Sequence, residues 1–142
     1  FVTGSHGVTV KADLKPEEIS FNNIDGVVLP GGMPGTVNLG KSETVTKAAV
    51  YCAENGKITA AICAAPSVLG NLGILKGKKA TCFPGFEKEL EGATYTAAPV
   101  EIDGNVITGK GAGCAILFGK AIVEKAVSAE AANKVCGDMQ CP

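Results

Sequence analysis

The stretch Ile58-Thr59-Ala60-Ala61-Ile62-Cys63-Ala64-Ala65-Pro66 carries an apolar run into a cysteine and then into a proline. A short apolar run bounded by turn signals reads as a buried strand, and proline is preorganised for the first turn of a helix. The strand is therefore expected to hand over at once to a helix, with the thiol at the junction. This is the layout of a nucleophile elbow, where small neighbours relieve the crowding of a tight strand-to-helix turn. Ala61 and Ala65, two positions either side of Cys63, meet that demand. At the amino end of a helix, unpaired N–H groups and the macrodipole favour the thiolate. The competing reading makes Cys63 a small core hydrophobe, because cysteine is among the most buried residue types.

Outward from this segment, strands and helices alternate. Upstream, residues 7–11 read as a short strand with Val8 and Val10 alternating, and Pro16-Glu17-Glu18 starts a turn of helix. Asp25-Gly26-Val27-Val28-Leu29-Pro30 reads as a buried strand ending in the loop Gly31-Gly32-Met33-Pro34-Gly35. Ser42 is the expected N-cap of a helix with Val45, Ala48, Ala49 and Cys52 at helical spacing, and Asn55-Gly56 closes it in the left-handed conformation. Downstream, glycines at 70–73 end the helix after Cys63, and a short strand follows near 79–81. Residues 100–108 read as a hairpin in which Asp103-Gly104 is a type I′ signal. Residues 109–113 open a long apolar helix carrying Ile116, Leu117, Lys120, Val123 and Val127, and Ser128 caps a last amphipathic helix.

This alternation implies an α/β fold in three layers, with a mostly parallel sheet covered on both faces. Working residues in such folds gather beyond the carboxyl ends of the strands. The Pro30-Gly31-Gly32 loop and Cys63 both fall there. The N–H groups of Gly31, Gly32 and Ala64 are candidates for an oxyanion hole facing the thiol, since glycine permits close backbone approach. An ordinary strand-ending turn is the alternative for the glycine pair.

A chain of 142 residues is read as a single domain, 1–142, large enough to bury a core. Thirteen basic residues, all lysine, against fourteen acidic ones leave a net charge of -1 and no basic stripe, so nucleic-acid binding has no support. No run of about 18 apolar residues suggests a membrane span, and a cytoplasmic setting is expected. The six cysteines contain no C-x2-C pair, which argues for reduced thiols rather than a disulfide or zinc framework. Cys136 and Cys141 stand close enough in sequence to bridge or bind a metal, but a frayed terminus with two free thiols is the expectation. No metal or cofactor is expected.

Four segments together resemble the ThiJ/PfpI superfamily, in its branch of DJ-one-like and YajL-like proteins. They are Asp25-Gly-Val-Val-Leu-Pro-Gly-Gly32, Ala60-Ala-Ile-Cys-Ala-Ala-Pro66, Thr81-Cys-Phe-Pro84 and Gly109-Lys-Gly-Ala-Gly113. The resemblance covers nearly the whole chain and turns the balance at Cys63 toward a reactive cysteine. It implies a flavodoxin-like fold, a homodimer, and a pocket lined by Met33, Phe83, Ala112 and His6. It also implies glyoxalase or protein-deglycase activity on methylglyoxal or its early thiol and amine adducts, with a stress-protective role.

The departures matter as well. The resemblance implies a glutamate, on the first helix of an N-terminal βαβ unit, that hydrogen-bonds the cysteine. No carboxylate here maps to it. Gly4-Ser5-His6-Gly7 resembles the start of a later strand of the family, so a preceding segment of at least roughly 30 residues, the size of a βαβ unit, is expected. A separate N-terminal fragment carrying the glutamate is the expected partner; a single species of 14.3 kDa, stably folded alone, would contradict this. Phe83 and Ala64 stand where some relatives carry histidine, and neither is a base. His6, the sole histidine, stands where relatives often carry arginine near the pocket rim. A Cys-dependent amidase or protease is therefore disfavoured. The rival to an aldehyde-processing enzyme is a redox-sensing or chaperone-like module working through oxidation of Cys63. Cys82 and Cys114 are candidate resolving thiols, with packing the better reading. A structural module with a dead site is the third reading.

Overall fold

The computed structural model describes residues 1–141. Its strands are β1 (Val2–Thr3), β2 (Thr9–Val10), β3 (Gly26–Leu29), β4 (Ile58–Ile62), β5 (Lys79–Ala80), β6 (Thr94–Tyr95), β7 (Val100–Asp103) and β8 (Val106–Gly109). Its helices are α1 (Gly35–Lys41), α2 (Glu43–Glu54), α3 (Pro66–Asn71), α4 (Ala115–Ala126) and α5 (Ala129–Asp138). The main sheet has the order β3-β4-β8-β7. The first three strands are parallel and β7 runs antiparallel at one edge.

The strand period of two sorts β4 between two cores. Ala61 faces a cluster with Leu29, Ala49, Val68 and Leu69, beneath α2 and α3. Ala60 faces Ile107, Phe118 and Ala121, beneath α4. Both alanines are fully buried, and their small side chains let helices approach the central strand from either side. The fold is thus the expected three-layer α/β sandwich with a mostly parallel sheet. Each fully buried leucine or isoleucine contributes roughly 1.5–3 kcal/mol of transfer free energy.

Several local expectations hold. The Ser42 hydroxyl accepts from the Val45 N–H at 3.5 Å. Gly56, with φ 66, ends α2 in the left-handed conformation, and the Lys57 N–H donates to the Cys52 carbonyl at 2.9 Å. That is the Schellman pattern. Ser128 caps α5 by accepting from the Ala131 N–H at 3.1 Å.

Others are corrected. Residues 7–11 yield only β2, which pairs with β1 in an exposed hairpin, and Gly4-Ser5-His6-Gly7 is the turn of that hairpin, not the start of a strand. Gly35 belongs to α1, an element the sequence reading missed. Val28 is 48% exposed, so β3 is covered on one face only; α4 packs over β4, β8 and β7 and leaves this edge strand open. The hairpin turn centres on Gly104-Asn105, one residue later than expected, with φ 63 at Gly104 alone, whereas a type I′ turn needs both central residues positive. Asp103 is a tertiary anchor instead, since its carboxylate accepts from the Lys79 N–H at 2.9 Å. Gly70 lies inside α3 rather than ending it, and Gly73 (φ 75) supplies the reversal. Val127 is the C-cap of α4, and Ile116 and Leu117 are half exposed while Phe118 and Ala121 face the core.

Candidate active site at the Cys63 elbow

The carboxyl ends of the three parallel strands bring together Pro30-Gly31 after β3, Cys63 after β4 and Lys110 after β8. Cys63 takes φ 66, in the left-handed region that a residue with a Cβ rarely adopts. Such a conformation persists only where its surroundings over-determine it. Here both sides of the residue are held: the Cys63 N–H donates to the Gly109 carbonyl at 2.9 Å, and the Cys63 carbonyl accepts from the Phe83 N–H at 2.8 Å. Gly31 packs so closely that a Cβ on it would lie 2.5 Å from the Cys63 Cβ and 2.7 Å from the Ile62 carbonyl oxygen. The thiol residue is half-buried, whereas Ala64 and Ala65 beside it are buried.

The helix does not follow at once. Cys63, Ala64 and Ala65 form a turn, with the Ala65 N–H donating to the Ile62 carbonyl at 3.1 Å, and α3 begins at Pro66 and spans six residues. So short a helix has a small dipole. The strained turn, more than the dipole, is the local device that presents the thiol.

No turn or loop hydrogen bond among the described residues uses the N–H groups of Gly31, Gly32 or Ala64. Gly32 has φ 87, and its carbonyl accepts from both the N–H and the hydroxyl of Thr36 at 2.9 Å, which ties the loop to α1. His6 lines a cavity of about 590 Å³ together with Gly31, Gly32 and Met33, between the β1–β2 hairpin and α1. Cys63, Phe83 and Ala112 are not part of that lining. Phe83 stands on the other flank, where a Cβ on Gly111 would lie 3.5 Å from its ring; Ala112 is exposed in the turn that follows. The expected pocket residues thus fall into two groups.

Among the described residues no hydrogen bond joins the Cys63 thiol to a histidine or a carboxylate. The His6 ring lies 3.2 Å from the Ser5 hydroxyl. No group of three or more His, Cys, Asp or Glu side chains among the described residues could hold a metal ion. None of the described helices is long and apolar enough to cross a membrane. The backbone role of Phe83 was invisible in the sequence, because the bond it makes to Cys63 spans two separate loops.

Cys82 is a different kind of thiol. It is fully buried, within the larger core cluster. Burial first, then the charge of Glu87, push it up to about 11 from the usual 9.0, against a hydrogen bond from the Phe86 backbone. Packing is its evident role. With the folded value above the unfolded one, this contribution to stability is whole below pH 9 and lost as pH climbs toward 11. The stability difference between the protein and Cys82→Ala is expected to narrow as pH rises from 9.0 to about 11 in urea titrations; a difference independent of pH would refute the assignment.

A family model described as the DJ-1/PfpI family matches residues 1–125. The chain is 36% identical over 140 residues to protein DJ-1 homolog B of Arabidopsis thaliana, covering 97% of this chain and 32% of that protein. A deglycase of Pyrococcus abyssi is 36% identical over 112 residues, 77% of this chain and 66% of the relative. The chain therefore spans about a third of the plant relative and about two thirds of the archaeal one. The crystal structure of Drosophila melanogaster DJ-1beta superposes with a TM-score of 0.89 at 31% identity, covering 97% of this chain and 75% of that one. The flavodoxin-like topology, the glycine loop packed on a strained cysteine and these likenesses agree that the chain belongs to the DJ-1/PfpI family, in its DJ-1-like branch.

Proposed function

We propose that this chain is the Cys63-bearing part of a cofactor-free glyoxalase- or deglycase-like enzyme, acting on methylglyoxal or on its early adducts with thiols and amines. The observation that carries the reading is the left-handed backbone of Cys63 (φ 66), clamped at both peptide groups and backed by Gly31. Strained backbone of this kind clusters at active sites and ligand clamps, and at Cys63 it coincides with a half-buried thiol at the carboxyl end of a central strand. Relatives named deglycases support the choice of chemistry.

In this reading the Cys63 thiolate adds to the aldehyde carbon, and the developing oxyanion is met by N–H groups of Gly31, Gly32 and Ala64. With one water added overall, the aldehyde carbon is oxidised to a carboxylate while the neighbouring ketone is reduced to an alcohol, giving a hydroxy acid without an external oxidant. The proton transfers need an acid–base group. A glutamate on a partner segment paired along the open edge of β3 would supply it, and Val28 on that strand offers apolar surface for the contact. A homodimer and a cytoplasmic, stress-protective role go with the same reading.

The test is methylglyoxal consumption by the chain together with the segment that supplies the glutamate. Cys63→Ala is expected to fall to the uncatalysed rate, and Gly31→Ala, which pushes directly on the Cys63 Cβ, to lose about 10–100-fold. Undiminished turnover in Cys63→Ala would sink the proposal. It would leave the redox-sensing reading standing if peroxide still oxidised Cys63 first in the native protein.

A further inference from the structure

Away from the Cys63 elbow, the chain places two more thiols against each other. The sequence suggested a frayed end there, but the structure shows an ordered cap. α5 ends at Asp138, Met139 is its C-cap, and Gln140 takes φ 54. The Cys141 N–H then donates to the Cys136 carbonyl at 2.9 Å. This is a Schellman motif, which sets the residue after the left-handed position against the third residue from the helix end. Both of those positions are cysteine.

The geometry is permissive for a bond between them. One hydrogen bond of 2.9 Å plus the backbone bond lengths confines the two Cα atoms to within about 7 Å. Beyond about 7 Å two cysteines cannot be bridged without backbone movement, and the range below it includes ordinary disulfides. Both residues are half-buried, so a small reagent can reach them. Burial first, then the neighbouring Cys136, raise the Cys141 thiol above its usual value, while the Lys120 ammonium on α4 opposes the shift. Cys136, Met139 and Lys120 also line an apolar cavity of about 330 Å³ between α4 and α5, beside the pair.

We propose that Cys136 and Cys141 form a redox modification site: a dithiol that exchanges with low-molecular-weight disulfides to make a reversible intramolecular disulfide across the C-terminal turn of α5. It draws on none of the residues assigned to aldehyde chemistry. The Cys136 thiolate attacks one sulfur of the small disulfide, whose S–S bond breaks; one small thiol leaves with a proton and a mixed disulfide stays on Cys136. The Cys141 thiolate then attacks the Cys136 sulfur and releases the second small thiol, again with a proton. Two protein thiols lose two electrons and two protons, and one small disulfide gains them. The turn is already closed by its hydrogen bond, so the second step competes well with any intermolecular one.

The experiment equilibrates the full reduced chain with oxidised and reduced glutathione at a series of ratios, traps free thiols by alkylation and cleaves with trypsin. Cleavage after Lys134 puts both cysteines on one peptide, residues 135–142. That peptide is expected to lose about 2 Da, the two thiol hydrogens, and to take no alkyl group, while Cys52 and Cys82 remain alkylated. Cys63→Ser should leave this result unchanged, which separates it from the fate of the proposed active site. Cys141→Ser, checked for its fold by circular dichroism, should instead hold a glutathione adduct on Cys136. A 135–142 peptide that stays doubly alkylated while other thiols oxidise, or that carries two glutathione adducts, would overturn the proposal.

Discussion

Cys63→Gly is expected to be more stable than Cys63→Ala by about 1 kcal/mol, with both variants inactive toward methylglyoxal. Residue 63 sits at φ 66, where a Cβ crowds the neighbouring carbonyl. For an L-residue this costs roughly 1–2 kcal/mol, and glycine escapes it. Glycine also loses more chain entropy on folding, by roughly 0.5–1 kcal/mol, which at the middle of both ranges leaves a gain just under about 1 kcal/mol. Alanine and glycine both delete the thiol, so their difference reports the backbone strain less that entropy cost. Urea titrations with equal m-values would read it as a difference in midpoint. If alanine proved the more stable of the two, the strain would not be real, and the reasoning that makes Cys63 a functional residue would lose its foundation. The pattern is one of stability given up locally for a presented nucleophile.

The second large effect lies on the opposite logic. In an exposed helix, glycine to alanine is worth up to about 1 kcal/mol in favour of alanine. Gly70→Ala in α3 should do the reverse. A Cβ there would fall 2.0 Å from the Glu89 carbonyl oxygen and 2.9 Å from the Leu90 Cα. These are backbone atoms that cannot swing aside, so the segment around Glu89 must move off α3. A loss of about 1–3 kcal/mol is expected, the range for overpacking a well-filled core. Because Glu87–Glu89 follows the Phe83–Phe86 turn, and Phe83 holds the Cys63 carbonyl, the displacement should also slow alkylation of Cys63 or scatter its rate. Equal or higher stability in Gly70→Ala would show that the contact yields easily.

Much of this was open to a reader of the residues. The apolar runs at 26–29 and 58–62 and the caps at Ser42, Gly56 and Ser128 report local preferences, and local preferences survive into the structure. Where the reading slipped, a distant contact had intervened. Asp-Gly is a turn signal, so the sequence predicts a turn residue at Asp103, but its carboxylate accepts from the Lys79 N–H. Glycine breaks helices, so Gly70 reads as part of the helix stop at 70–73; in the structure it lies within α3 and lets the Glu89 carbonyl approach. Gly35 reads as loop along with the glycines before it, yet the Thr36 bonds to the Gly32 carbonyl start a helix there.

The candidate site divides in the same way. By itself the sequence determined that a cysteine ends a buried central strand, with small residues around it and a glycine loop ending the neighbouring strand, because side-chain size and hydrophobic periodicity are properties of the residues themselves. Only the tertiary structure decided that Cys63 is left-handed, that Gly109 and Phe83 hold its peptide groups and that Gly31 backs its Cβ. It likewise decided that Cys136 and Cys141 meet across a helix cap. Strain of this kind has no local signature. No residue favours it on its own, and it persists because hydrogen bonds from separate segments cost more to break than the strained turn costs to keep.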